Sequence, residues 1–276
     1  MNLVAYLAAH SKLIDAIGIN ALLALSLSVS LRAGALALAQ AAFMGIAAYV
    51  SAIGAVQAHW SLPESMLLGA LCAGAVAALL ALPLGRLRGV FLAIATIGFG
   101  EIARIVEINV PITGGAEGYS NIPNDANTAW IYGTLALVAL GFVAFARTKA
   151  ALAIAATRED ESAARGVGID VARVRFATLV TGAIVAGLAG ALYAHANFFI
   201  APNDFGFGRM EAILVACVIG GGTSSLGAAI GAVLMTLLPE SVRFLADYRE
   251  VSTGAILLGI VLFAPDGIAG LWKRRA

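Results

Sequence analysis

Nine apolar runs, at about 13–31, 34–57, 66–84, 89–106, 130–146, 177–199, 210–222, 226–239 and 253–271, fill most of this chain. No water-soluble fold can hide that many greasy segments in 276 residues. Apolar residues make up 61% of the sequence, against roughly 45–50% in soluble domains. A membrane-crossing helix needs about 20 such residues, and in lipid only helices and closed barrels satisfy their own backbone. The runs are too long for barrel strands. The reading is an all-α, polytopic integral membrane protein of eight or nine transmembrane helices, a single domain over 1–276. The runs 210–222 and 226–239 are short, and Gly220 to Gly227 ("GGGTSSLG") parts them. They are expected to form a broken or re-entrant pair.

Several function classes drop out on composition. A net charge of +1 offers nucleic acid no basic surface. Cys72 and Cys217 both lie inside apolar runs, with no spacing for a metal or a disulfide framework. His10, His59 and His195 lie near predicted span ends, far apart, and are expected at the membrane interface. The glycine-rich Gly-x-x-x-x-Gly-Lys-Ser/Thr loop of ATP-binding proteins is absent, so no ATP site is expected on this chain. A basic segment followed by a small-residue cleavage site is missing at the start, so no removable signal peptide is expected.

Lys and Arg favour the cytoplasmic side of a membrane. With nine alternating spans, one side holds Arg32, Arg86, Arg88, Arg147, Lys149, Arg158, Arg165, Arg173, Arg175, Lys273, Arg274 and Arg275. The other holds Lys12, Arg209, Arg243 and Arg249, with Arg104 near it but inside a span. The N-terminus is therefore expected outside and the C-terminus in the cytoplasm. The largest cytoplasmic loop, about 147–176, contains "ATREDESAARGVGIDVARVR" from Ala156 to Arg175. Eight of those twenty residues are charged. Acids at the start of "EDESAARGVGI", Arg165 near its end and a glycine stop at Gly166 or Gly168 predict a short helix over about 156–168. Either the loop only holds the topology, or a soluble partner grips it as a lever on the two spans it joins.

The segment Glu159–Ala194 resembles the cytoplasmic loop and following helix of LivM-type permeases, the membrane subunits of importers for branched-chain amino acids driven by ATP-binding-cassette (ABC) ATPases. "GRLRGVFLAIATIGFGEIARIVEIN" (Gly85–Asn109), "TGGAEGYSNIP" (Thr113–Pro123), "ILVACVIGGGTSSLGAAIGAV" (Ile213–Val233) and "GAILLGIVLFAPDGIAGLW" (Gly254–Trp272) resemble further family segments, in the family's order. The resemblance implies an inner-membrane permease subunit, itself no enzyme. Its partners would be a second, related permease chain, two ATP-binding subunits carrying ATP and Mg, and a periplasmic solute-binding protein. It also implies that Arg158, Glu159, Asp160, Glu161, Arg165 and Gly166 couple the permease to the ATPase. The match to the importer loop motif is loose: Gly166 follows Glu161-Ser162-Ala163 after two residues, where the motif has three.

Polar residues inside the spans are the candidates for the pathway or its periplasmic mouth. Glu101 and Arg104 share a helix face at i, i+3, either as a structural ion pair or as a polar element beside the pathway. Thr96, Gly98 and Gly100 predict a kink or a lining surface. Thr113, Gly114, Gly115 and Gly118 predict a tight outer turn, with Glu117 and Asp125 adding negative charge there. Gly220, Gly221, Gly222, Thr223 and Ser224 interrupt a helix and are expected at the pathway or a subunit seam. Gly227 and Gly231 are spaced for close helix packing. The family also includes permeases for urea and short amides, an alternative within the class. An ion-coupled transporter would place acids mid-span, and here only Glu101 qualifies, beside its own Arg. A channel would have no use for the long cytoplasmic loop.

Overall fold

The computed structural model describes residues 11–241, except Arg86 and Thr223, together with Gly254. The run at 253–271 and its "KRR" ending lie outside this range, as does His10. Ten α-helices follow in order: α1 (Ser11–Arg32), α2 (Gln40–Gln57), α3 (Leu62–Leu84), α4 (Val90–Asn109), α5 (Thr128–Phe145), α6 (Lys149–Glu159), α7 (Glu161–Gly166), α8 (Val171–Asn197), α9 (Phe207–Gly220) and α10 (Ser225–Ser241). Among the described residues there is no strand, only an isolated pairing of Tyr119 with Ile200. Among the described residues five helices, α1, α2, α3, α5 and α8, are long and apolar enough to cross a membrane. At 1.5 Å per residue α8 reaches about 40 Å and α3 about 34 Å, against a hydrocarbon core of about 30 Å.

α8 is the axis of the bundle. α1, α2 and α3 all pack along it. Small residues make this possible, because a Cβ on Gly190 would lie 2.1 Å from Met44 O of α2, and one on Gly187 would lie 2.8 Å from Ala70 Cα of α3. The opposite faces of α3, α4 and α5 carry exposed Leu71, Leu79, Leu82, Phe91, Ile94, Ile102, Leu137 and Leu140. That belt would aggregate in water and suits lipid.

The apolar run 34–57 is not one helix. Between α1 and α2 the chain leaves the helix over 33–39, yet Ala33, Ala35, Ala37, Leu38 and Ala39 are buried. Buried backbone of this kind needs partners. Thr96 on α4 supplies one: its Oγ1 accepts from Leu38 N–H (2.8 Å) and donates back to Leu92 O (2.8 Å). Thr96→Val should cost about 1–2 kcal/mol by stranding that N–H, measurable as a lower midpoint of thermal unfolding in detergent; an unchanged midpoint would mean the bond carries nothing.

α9 and α10 form an antiparallel hairpin. A Cβ on Gly220 would sit 2.0 Å from Gly227 O, and one on Gly231 would sit 1.9 Å from Ala216 O, so the two backbones touch along their length. Gly221, at φ +102°, makes the turn. The Gly227/Gly231 spacing thus serves packing. The hairpin is tied to α1 by Asn20 Nδ2 donating to Thr236 Oγ1 (3.0 Å) and by Cys217 Sγ donating to Ala24 O (3.2 Å).

Candidate functional site

Two places gather the polar residues. The first is a groove where α2, α4 and the start of α9 meet. Leu38, Ala41 and Ala42 form one wall, Ile97, Gly100 and Glu101 a second, and Phe205, Gly206, Phe207 and Met210 the third. α4 runs as helix without interruption from Val90 to Asn109, so Gly98 and Gly100 do not break it. Their effect is spatial: a Cβ at either would meet nothing within 4 Å. Gly100 opens onto the groove, while Gly98 lies on the exposed face. Thr96 is fully buried and spent on backbone, so it lines nothing.

Glu101 and Arg104 pair as their spacing predicts, with Arg104 Nη2 2.9 Å from Glu101 Oε2. Arg104 also donates from Nη1 to Asn203 Oδ1 (3.1 Å), tying α4 to the short turn Pro202–Phe205 ahead of α9. One turn further along α4 stands Glu107, 5% exposed, with no hydrogen-bond partner on either carboxylate oxygen. Its Oε1 and the ring of Phe205 fill the space above Gly45, and Tyr49 lies near with an unpartnered hydroxyl. Sequence reasoning missed Glu107 because the apolar run was taken to end at 106. The helix continues to Asn109, and the i, i+3 spacing from Arg104 was the available signal.

At the same end of the bundle the glycine-rich loop is built by necessity. Gly114, Gly115 and Gly118 have φ of +79°, +63° and +82°. A Cβ on Gly114 would lie 2.1 Å from Gly118 O, and one on Gly118 would lie 2.4 Å from Ile200 O. Thr113 Oγ1 donates to Glu107 O (2.6 Å), so the loop is stitched to the end of α4. His195, near the end of α8, is fully buried within the protein, between Pro123 O (3.0 Å from Nδ1) and Ser51 Oγ (3.1 Å from Nε2). It joins α8 to α2 and to the 119–126 segment. Gly220 and Gly221 make the α9–α10 turn and do not line the groove, Gly222 (φ +43°) continues that turn, and Ser224 caps α10 through Oγ to Gly227 N–H (3.2 Å). Thr223 lies outside the described residues.

The second place is the opposite end, where Gly34 meets Arg158, and Arg88 and Arg175 converge on Glu161. The predicted helix over 156–168 is two helices. Residues 156–159 complete α6, and Asp160, at φ −151°, breaks the run. The Asp160 carboxylate then caps α7, accepting from Ser162 N–H (2.7 Å) and Ala163 N–H (3.0 Å). Arg158 packs its backbone against Gly34 at the end of α1. Glu161 lies beneath three guanidinium groups. Arg165 Nη2 is at 2.6 Å, Arg175 Nη2 at 3.1 Å and Arg88 Nη2 at 3.4 Å. Ser162, Ala163, Arg165, Gly166 and Val167 are exposed, while Ala164 is buried. Among the described residues no cluster of three metal-ligating side chains occurs.

Comparison with known proteins agrees with this architecture. Residues 11–264 match the family described as the permease component of branched-chain amino acid transport systems. The chain is 30% identical, over 91% of its length, to the high-affinity branched-chain amino acid transport permease LivM of Salmonella typhimurium and to that of Escherichia coli K12. It spans 66% of the length of those relatives. It is also 32% identical to LivH of Salmonella typhimurium, over 58% of this chain and 52% of LivH. A match at 32% identity to the autoinducer 2 import permease LsrC of Yersinia pseudotuberculosis covers 45% of this chain and 36% of LsrC. No solved structure matches. The match from Ser11 to Ala264 takes in the groove, the capped α7 and the α9–α10 hairpin alike, and the chain belongs to the family of branched-chain amino acid transport permease components.

Proposed function

We propose that this chain is one of two permease subunits of an ABC importer that moves branched-chain amino acids inward across the bacterial inner membrane. The observation that carries this is the groove between α2, α4 and α9. It is apolar on three sides, narrowed by small residues, rimmed by one ion pair and open on the fourth side. A second, related permease chain would close it, so that the solute passes along a seam between subunits. Leu38, Ile97, Phe205 and Met210 suit an aliphatic side chain. The Glu101–Arg104 pair at the rim offers opposite charges for an ammonium and a carboxylate.

ATP and Mg belong, on this reading, to two ATPase subunits that grip the exposed surface from Arg158 to Gly168, with Glu159, Asp160, Arg165 and Gly166 on it. The arginine-rich end then faces the cytoplasm, and the Thr113–Gly118 loop faces the periplasmic binding protein. This reading keeps eight or nine passages, the last of them in the apolar run at 253–271. The urea and short-amide reading has less support, because the groove offers hydrogen bonds only at its rim.

Gly100→Leu tests the groove directly. A β-carbon there meets nothing within 4 Å, and the position lines the groove where solute would pass. Uptake of radiolabelled leucine by cells expressing the whole importer should fall about tenfold or more, equivalent to about 1.4 kcal/mol, at unchanged membrane abundance. Gly98→Leu, two residues away on the outer face, should leave uptake near normal. Equal uptake in both variants would remove the groove from the pathway. Urea uptake in place of leucine uptake would move the chain to the amide branch.

A further inference from the structure

α7 has six residues, fewer than two turns, and no core of its own. Something must fasten it to the bundle if it is to transmit movement. Ala164 packs inward on one side. The only charged side chain on the same face is Glu161, three residues earlier. Its side chain is 20% exposed, beneath the guanidinium groups of Arg88, Arg165 and Arg175.

The three arginines around that carboxylate do different work. Arg165 is on α7 itself, at i+4, and links nothing outside the helix. Arg88 stands 73 residues earlier, on the turn between α3 and α4, and Arg175 stands on the first turns of α8. Arg175 is only 15% exposed and contributes to the lining of a small open pocket shared with Ser30, Leu84 and Leu92. α8 is the axis of the bundle, and α4 carries one wall of the groove. The two outside arginines therefore lead from α7 to the bundle's axis and to the helix that lines the groove.

We propose that Glu161 is a clamp within this chain. It fastens α7 to α8 through Arg175 and to the α3–α4 turn through Arg88, and those arginines are positioning residues for transport. This inference rests on the importer reading above. It divides the short helix into a clamp face, Glu161 and Ala164, and a partner face, Ser162, Ala163, Gly166 and Val167. A pull on the partner face is carried to the groove through the clamp. Cutting it uncouples ATP hydrolysis from transport without releasing the ATPase.

The test uses the complete importer, purified with all its subunits and reconstituted in liposomes, with ATP hydrolysis and leucine uptake measured on the same vesicles. In the double variant Arg88→Gln/Arg175→Gln the ATPase should still copurify and hydrolyse ATP. Leucine carried per ATP should fall about tenfold, within the usual range for coupling between sites. Arg173→Gln, which removes an exposed pair with Asp170 (2.9 Å) outside both the clamp and the gripped surface, should change that ratio little. Arg88→Lys/Arg175→Lys, which keeps both positive charges beside Glu161, should hold much of that ratio. An unchanged ratio in the double variant overturns the clamp, and so does loss of the ATPase from the complex, which would place these residues in the docking surface. If the double variant fails to accumulate, the exposed single variant Arg88→Gln decides: a lowered ratio supports the clamp, and an unchanged ratio overturns it. An unmodified chain that purifies without any ATPase would instead sink the importer reading itself.

Discussion

Gly190→Val should abolish the folded protein. A β-carbon at this position falls 2.1 Å from the carbonyl oxygen of Met44 and 2.9 Å from its carbonyl carbon. The obstacle is the backbone of α2, not the end of a flexible side chain, so no rotamer change relieves it. α8 would have to withdraw from α2, and Ala183, Ala186, Gly187 and Ala194 would lose contacts along the same face. Van der Waals packing of small residues is what holds membrane helices together, since lipid is as apolar as the helix surface. The expected cost is about 3 kcal/mol or more, at the upper end for overpacked cores. Detergent-solubilised Gly190→Val should run as aggregate on size exclusion, while Gly141→Val on α5, where a β-carbon meets nothing, should run like the unmodified protein. A monodisperse, heat-stable Gly190→Val would mean that α2 and α8 do not cross as described.

Arg104→Leu should be worse than removing Arg104 and Glu101 together. The single change leaves the Glu101 carboxylate without its cation in the middle of an apolar helix, and it releases Asn203 and the turn ahead of α9. Losing one partner of a fully buried pair costs about 3–5 kcal/mol. Glu101 and Arg104 keep 38% and 27% of their side-chain surface exposed within this chain. The figure here is accordingly lower, about 2–3 kcal/mol. In Glu101→Leu/Arg104→Leu no charge is stranded, and most of that loss should return. The check is a double-mutant cycle on unfolding in mixed micelles. Strict additivity of the two single changes would show that the pair contributes nothing as a pair.

Hydropathy reveals these helices but not their ends or joints. The run 66–84 began four residues late because Pro63 and Glu64 dilute it. Yet Ser61 and Glu64 form a capping box, with Glu64 Oε2 accepting from Ser61 N–H (2.8 Å), a start signal written in the sequence. The stretch 33–39 is as apolar as a helix and is not one. Its backbone is satisfied partly by Thr96, 58 residues away, and hydropathy has no term for a partner that distant. α6 went unread because its Ala-rich sequence is neither long nor apolar enough to count as a span, though Thr148 ahead of it is an ordinary cap. The Glu161–Arg165 spacing was legible as i, i+4. That Arg88 and Arg175 converge on the same carboxylate was not, because three elements must fold together to bring them there. Glycines fared better: a turn at Gly114–Gly118 and a break at Gly220–Gly222 follow from residue type alone.

The α9–α10 hairpin also bears on how the protein is made. α9 has 14 residues, about 21 Å of helix, short of the roughly 30 Å of hydrocarbon that a newly made segment must fill to enter a bilayer alone. The surface that receives it, along Asn20 and Ala24 of α1, leaves the ribosome nearly two hundred residues earlier. α9 and α10 therefore lodge against protein already waiting in the membrane. The α9–α10 hairpin thus depends for its insertion on the first helix, and an early truncation that removes α1 should leave the hairpin with nowhere to go.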